Sequence, residues 1–187
     1  GAATPVNIIG CLLTATTTAA AVVVNGVNSS YYGCTISGGI VGITATEPFV
    51  STYCIINGFT TSGISIGGGS RYYFIFHATI YAAATNGILV TAVPTTGPIF
   101  ISNSIIGGCT NGVNQNTGGN TSGIVVLNTH FYSCTNNLVG LAENADVTSD
   151  LGVAMFNVDN DTDPWVSKAT ADFSLATGNT IDKSQGY

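Results

Sequence analysis

The feature that most limits how this chain can fold is a repeat of 24 to 25 residues. The segments Ala84-Thr85-Asn86-Gly87-Ile88, Cys109-Thr110-Asn111-Gly112-Val113 and Cys134-Thr135-Asn136-Asn137-Leu138 each begin 25 residues apart, and Thr60-Thr61-Ser62-Gly63-Ile64 continues the series 24 residues upstream. An apolar column follows the same steps through Ile40, Ile64, Ile88, Val113 and Leu138, preceded by Gly39, Gly63, Gly87, Gly112 and Asn137. A second apolar column runs through Val50, Phe74, Ile99 and Ile124. Repeats of this length mark architectures in which each unit buries its apolar face only against its neighbours.

Short strands separated by bends, wound so that equivalent positions stack about 4.8 Å apart, satisfy all three columns at once. The expectation is an all-β, single-stranded, right-handed parallel β-helix of 24 to 25 residues per coil. Gly and Asn adopt positive φ most cheaply, so the Gly39 to Asn137 column is expected at a bend. In the same register Thr61, Thr85, Thr110 and Thr135 form a polar ladder, and Asn103 aligns with Asn128. An Asn ladder can join coils by side-chain hydrogen bonds, with plain solvent exposure as the alternative. A leucine-rich repeat would show Leu-x-x-Leu-x-Leu, which is absent, and a sandwich would not keep a constant step.

Composition agrees. Only 6% of residues are charged, against about 25% in ordinary soluble domains, and Gly numbers 24. Residues 1–142 hold only Glu47 and Arg71, whereas residues 143–187 hold eight acidic residues with Lys168 and Lys183. This divides the chain into β-helix coils over 1–142 and a last coil with an acidic closing segment over 143–187. A net charge of −6 without a basic cluster removes the attraction that drives nucleic-acid binding. The longest purely apolar run, Ala19 to Val24, is too short to span a bilayer. The opening Gly-Ala-Ala-Thr-Pro lacks the features of a signal peptide, so a processed or excised product is expected.

Asp163-Pro164-Trp165-Val166, Ala171-Asp172-Phe173-Ser174-Leu175 and Thr180-Ile181-Asp182 resemble the closing segment of secreted right-handed β-helix proteins of the pectin-lyase-like superfamily. Thr180 departs from the usual Ser-Pro-Ala of that pattern. The resemblance covers the last 25 residues specifically and the repeats generically, and it implies fold more than activity. Enzymes of that superfamily cut polysaccharides with clustered carboxylates, often with calcium and a basic residue. A glycosidase needs two carboxyls flanking the scissile bond. One carboxylate and one strong base over residues 1–142 do not assemble either chemistry, so no catalytic residue is assigned and a non-catalytic member is expected.

Asp159, Asp161 and Asp163 alternate as the ligands of a calcium loop do, which makes them the candidate metal set. Pro164 occupies the position where such a loop needs Gly, and the distal Glu is missing, so a solvated turn competes with calcium. His77 and His130 are 53 residues apart, not a whole number of coils, which argues against a shared metal site and for structural roles. The five Cys (11, 34, 54, 109, 134) form no Cys-x-x-Cys pair. Cys109 and Cys134 occupy equivalent positions on adjacent coils, where stacked free thiols are favoured over a disulfide. In Arg71-Tyr72-Tyr73-Phe74-Ile75-Phe76, and at Tyr31-Tyr32, alternation puts about half the aromatics in the core and leaves the others to stack on sugar rings.

The functional expectation is a non-enzymatic structural or adhesive module of a virion, cell-surface or extracellular assembly. A surface this poor in charge suits a homo-oligomer or larger assembly. The alternative is a carbohydrate-active lyase or hydrolase, or a sugar-binding domain, acting on a polysaccharide with residues outside this chain.

Overall fold

The computed structural model describes residues 4–16, 18–25, 28–68, 72–92, 97–116, 123–141, 153–155, 158–159, 164–167 and 172–176. These contain strands and no helix. The strands come in sets of three. The first level holds β1 (Asn7–Ile9), β2 (Leu12–Ala15) and β3 (Ala20–Val24), and the second β4 (Ser29–Tyr32), β5 (Thr35–Gly38) and β6 (Val41–Ala45). The third holds β7 (Phe49–Thr52), β8 (Ile55–Asn57) and β9 (Ser62–Gly67). In the next two levels the second and third strands merge, giving β10 (Tyr73–Phe76) with β11 (Thr79–Ala92), then β12 (Ile99–Ser102) with β13 (Ile105–Gln115). A sixth level has β14 (Ile124–Leu127), β15 (His130–Tyr132) and β16 (Asn136–Val139); β17 (Val153–Met155) and β18 (Val158–Asp159) follow.

Each strand pairs in parallel with its equivalent one level away, so the molecule is a parallel β-solenoid. One sheet runs β1-β4-β7-β10-β12-β14-β17, and the other two faces join in an eleven-stranded sheet. The strands alternate inward and outward side chains. Leu13, Ile36, Ile56, Ile80, Ile106 and Phe131 stack down one face, and Ile36 through Ile106 are all 0% exposed. A second ladder runs Val22, Ile43, Ile64, Ile88, Val113 and Leu138. Burying each such aliphatic side chain is worth about 1.5–3 kcal/mol, so neighbouring levels hold one another.

Two expected columns are corrected at their ends. Ile64 pairs with Ile43 and not with Ile40, and Ile40 is 38% exposed. Phe74 pairs with Val50 and Phe100, while Ile99 pairs with Tyr73. The expected Val50 to Ile124 column therefore joins two half-buried outward residues to two core residues. The cause is uneven coil length: the same face advances 20 residues from Ser30 to Val50, 24 to Phe74 and 26 to Phe100. The 24-to-25 step holds only from β9 onward on the face that carries Ile64.

The glycine column is corrected in its reason. Gly63, Gly87 and Gly112 lie inside strands, and their partner in the preceding level is Gly42, not Gly39. A Cβ on Gly42, Gly63, Gly87 or Gly112 would stand 2.6–2.7 Å from the carbonyl oxygen of Gly63, Gly87, Gly112 or Asn137, respectively. It would also strike Ile56, Ile80, Ile106 or Phe131. Gly39 does stand at a bend with a φ of 81°, but at Gly42, Gly63, Gly87 and Gly112 what excludes a side chain is close approach of backbone and core, not positive φ. Beside this column Asn111 Nδ2 donates to Asn86 Oδ1 at 3.1 Å, and Asn136 Nδ2 to Asn111 Oδ1 at 2.9 Å.

Candidate functional site: the corner column and the groove beside it

The bend joining the first sheet to the second repeats at every level with the same backbone geometry. Its first residue has positive φ in all six levels: Gly10 (63°), Gly33 (60°), Tyr53 (55°), His77 (50°), Asn103 (50°) and Asn128 (48°). Hydrogen bonding between levels continues straight through the bend, as in Tyr53 N–H to Phe76 O at 3.1 Å and His77 N–H to Ser102 O at 3.1 Å. The second residue of the bend is small, Cys11, Cys34, Cys54, Ala78, Ser104 and Thr129 in turn, and from Cys34 onward it is buried. Those that carry a donor aim it at the carbonyl two residues back, Cys54 Sγ to Thr52 O at 3.5 Å and Ser104 Oγ to Ser102 O at 2.9 Å.

All five cysteines are free. The expected stacking of Cys109 and Cys134 is present at the next bend, where both thiols donate to backbone carbonyls. Burial, and then the neighbouring Cys134, push the Cys109 thiol up to about 12. The grouping of Cys11, Cys34 and Cys54 in one column escaped the sequence reading because their spacing follows the short early coils.

A left-handed conformation costs a residue with a Cβ about 1–2 kcal/mol, least for Asn and, by frequency of occurrence, for His. The first two levels use Gly and the last two Asn, and Asn128 Nδ2 donates to Asn103 Oδ1 at 2.6 Å as the Asn alignment predicts. Tyr53 is the bulky exception. Its ring stacks on His77 at 4.7 Å and 18°, and meets Tyr32 edge-on at 5.5 Å. Tyr53 is 52% exposed.

The segment that carries the superfamily resemblance forms the other wall of this region. β19 (Trp165–Ser167) and β20 (Asp172–Leu175) make an antiparallel hairpin. Trp165 and Phe173 pack on Ile105 with Ile55, Tyr81 and Tyr132, the outward side chains of the second sheet. Trp165 meets Tyr81 at 4.9 Å and Tyr132 at 5.5 Å, both edge-on. A Cβ on Gly107 would stand 2.9 Å from the Trp165 ring, so glycine there makes room for the indole. Between hairpin and corner lies a groove of about 220 Å³, lined by Tyr53, His77, Thr79, Asn103, Phe173 and Leu175 among others.

The other residues singled out from sequence are dispersed. Glu47 is half-buried just before β7, where its charge adds to burial in pushing the Tyr73 hydroxyl up to about 12. Tyr73 Oη donates to the Gly68 carbonyl. His77 stands at the corner, whereas His130 is fully buried in β15, so the two occupy different columns as expected. Of the candidate metal set, Asp159 contributes its backbone to β18, and Asp161 and Asp163 lie outside the described residues, as do Arg71 and Thr180 to Asp182. Thr85, Thr110 and Thr135 of the expected Thr ladder line a shallow polar trough with Thr60, and Thr61 keeps the expected register beside Thr85 without lining it.

On the first sheet, alternation divides the aromatics as expected. Tyr31 and Tyr73 face inward, 4% and 0% exposed. Tyr72, Phe74, Phe76 and Phe100 face outward, with Tyr72 stacked on Phe74 at 5.9 Å and Phe74 on Phe100 at 5.5 Å. Comparisons with protein-family models, with curated proteins and with solved structures find no match.

Proposed function

We propose that this chain is a non-enzymatic structural or adhesive module, a rigid element of a virion, cell-surface or extracellular assembly, and a non-catalytic relative of the pectin-lyase-like β-helices. The observation that carries the proposal is the outward aromatic stripe of Tyr72, Phe74 and Phe100 on an almost uncharged side of the solenoid. A contiguous apolar strip of this kind is worth most when another surface covers it, and stacked parallel strands supply a stiff, extensible support. The described strands of the first sheet carry no charged side chain, which suits packing between like copies in a homo-oligomer.

Sedimentation of the full chain tests this. An assembled species that Phe74→Lys with Phe100→Lys converts to monomer is the expected result, because two ammonium groups in the contact would have to be desolvated. A monodisperse monomer that the two substitutions leave unchanged would contradict it.

A further inference from the structure

We infer that the Asn57-Gly58 peptide, at the end of β8, is a modification site at which asparagine converts spontaneously to aspartate and isoaspartate, with water as the co-reactant. The inference goes beyond the rod-like role and stands apart from it, since this chemistry needs neither a partner nor an assembly.

An asparagine followed by glycine is open to this change because a residue without Cβ leaves its own nitrogen unhindered and the backbone free to turn. The chain has four such pairs, Asn25-Gly26, Asn57-Gly58, Asn86-Gly87 and Asn111-Gly112. The first reaches outside the described residues, and the fold treats the other three in two ways. Asn86-Gly87 and Asn111-Gly112 lie inside β11 and β13, where both glycines are buried and close against the backbone of the next level. Asn86 Oδ1 accepts from Asn111 Nδ2 at 3.1 Å and from Asn114 Nδ2 at 2.9 Å, while its own Nδ2 donates to Ser62 Oγ at 3.4 Å. Asn111 Oδ1 in turn accepts from Asn136 Nδ2 at 2.9 Å. Neither amide can swing toward the following backbone nitrogen without breaking the ladder that joins the levels.

Asn57 differs on each count. It is the last residue of β8, outward and half-buried, and Gly58 after it is exposed at a bend with a φ of 68°. Among the described residues no hydrogen bond holds the Asn57 side chain. Even a Cβ added to Gly58 would meet nothing nearer than Gly38 N at 3.4 Å, so the peptide has room to turn. Ring closure proceeds only from conformers that bring the reacting atoms together, and opening at a strand end costs less than opening in the interior of a paired strand.

The step balances without an oxidant or reductant. Hydroxide takes the Gly58 N–H proton, the nitrogen attacks Asn57 Cγ, and the new N–C bond closes a five-membered succinimide. The Cγ–Nδ2 bond breaks, and the leaving nitrogen takes a proton from water, so that ammonia departs and hydroxide is regenerated. Water then opens the ring at either carbonyl, which gives aspartate or isoaspartate.

Storage of the full chain in mildly alkaline buffer at body temperature, followed by peptic digestion and mass spectrometry, tests this. Asn57 should gain the mass of NH₂ exchanged for OH, with both isomers present, at a rate at least about tenfold that at Asn86 or Asn111, and the rate should rise with pH. In chain unfolded with urea the three rates should converge, through acceleration at Asn86 and Asn111. A rate at Asn57 no higher than at those two in the folded chain would overturn the inference. So would aspartate formed without isoaspartate, a rate indifferent to pH, or a difference that persists in urea and so belongs to the neighbouring residue types instead of the fold.

Discussion

The early strands, β1 to β8, and the later ones, β9 to β16, have the same core and different means of keeping it in register. In the later levels the step is 24 to 26 residues, glycines let successive backbones close on one another, and amides link Asn86, Asn111 and Asn136. In the early levels the step falls to between 20 and 23, and the outward side chains of the first level, Ile9 and Leu12, are both 71% exposed. The inward ladder nonetheless passes through both halves unbroken. Register is therefore set by the inward aliphatic residues and the constant bend geometry, and the polar ladders reinforce it where the coil length permits.

The largest expected effect breaks the core of the regular half. Ile88→Ala should lower unfolding free energy by about 2–5 kcal/mol, as large-to-small core changes do, whereas Ile40→Ala, at a position the repeat alone would place in the same ladder, should change it by no more than about 0.5 kcal/mol. Chemical denaturation of the two variants measures this directly. Gly87→Ala comes next, with a loss of about 1–3 kcal/mol from overpacking against Gly112 and Ile106. Gly67→Ala, whose nearest contact would be 3.5 Å away, should be close to neutral.

A further effect concerns pH. Because burial raises the folded-state value of Cys109 to about 12 from an ordinary 9.0, the unfolded chain loses this proton first. The stability it contributes is fully present below pH 9 and falls as pH rises toward 12, by at most about 1.4 kcal/mol per pH unit. Denaturation at several alkaline pH values should show a shallower decline for Cys109→Ala than for the wild type.

The solenoid and its later registers were legible in the sequence because on the face that carries Ile64 those coils differ by one residue at most, so that Thr85, Thr110 and Thr135 repeat at a fixed step, as do Asn103 and Asn128. Ile43 was not legible as the partner of Ile64, since a shortened coil moves the register by three residues and Ile40 continues the numerical series. The glycine column was found for the wrong reason, because a composition of Gly at fixed spacing does not distinguish a bend from a close backbone approach. The groove was hidden for two causes. Its corner residues Tyr53, His77 and Asn103 share neither residue type nor spacing, and its other wall comes from Phe173 and Leu175, which the chain brings back from far along the sequence.

The register of the early coils is the most direct test of how the solenoid is built. Methyl-to-methyl nuclear Overhauser contacts in isoleucine-labelled protein should link Ile43 to Ile64 and Ile64 to Ile88, with none from Ile40 to Ile64. A contact between Ile40 and Ile64, with none from Ile43, would contradict the stacking described above.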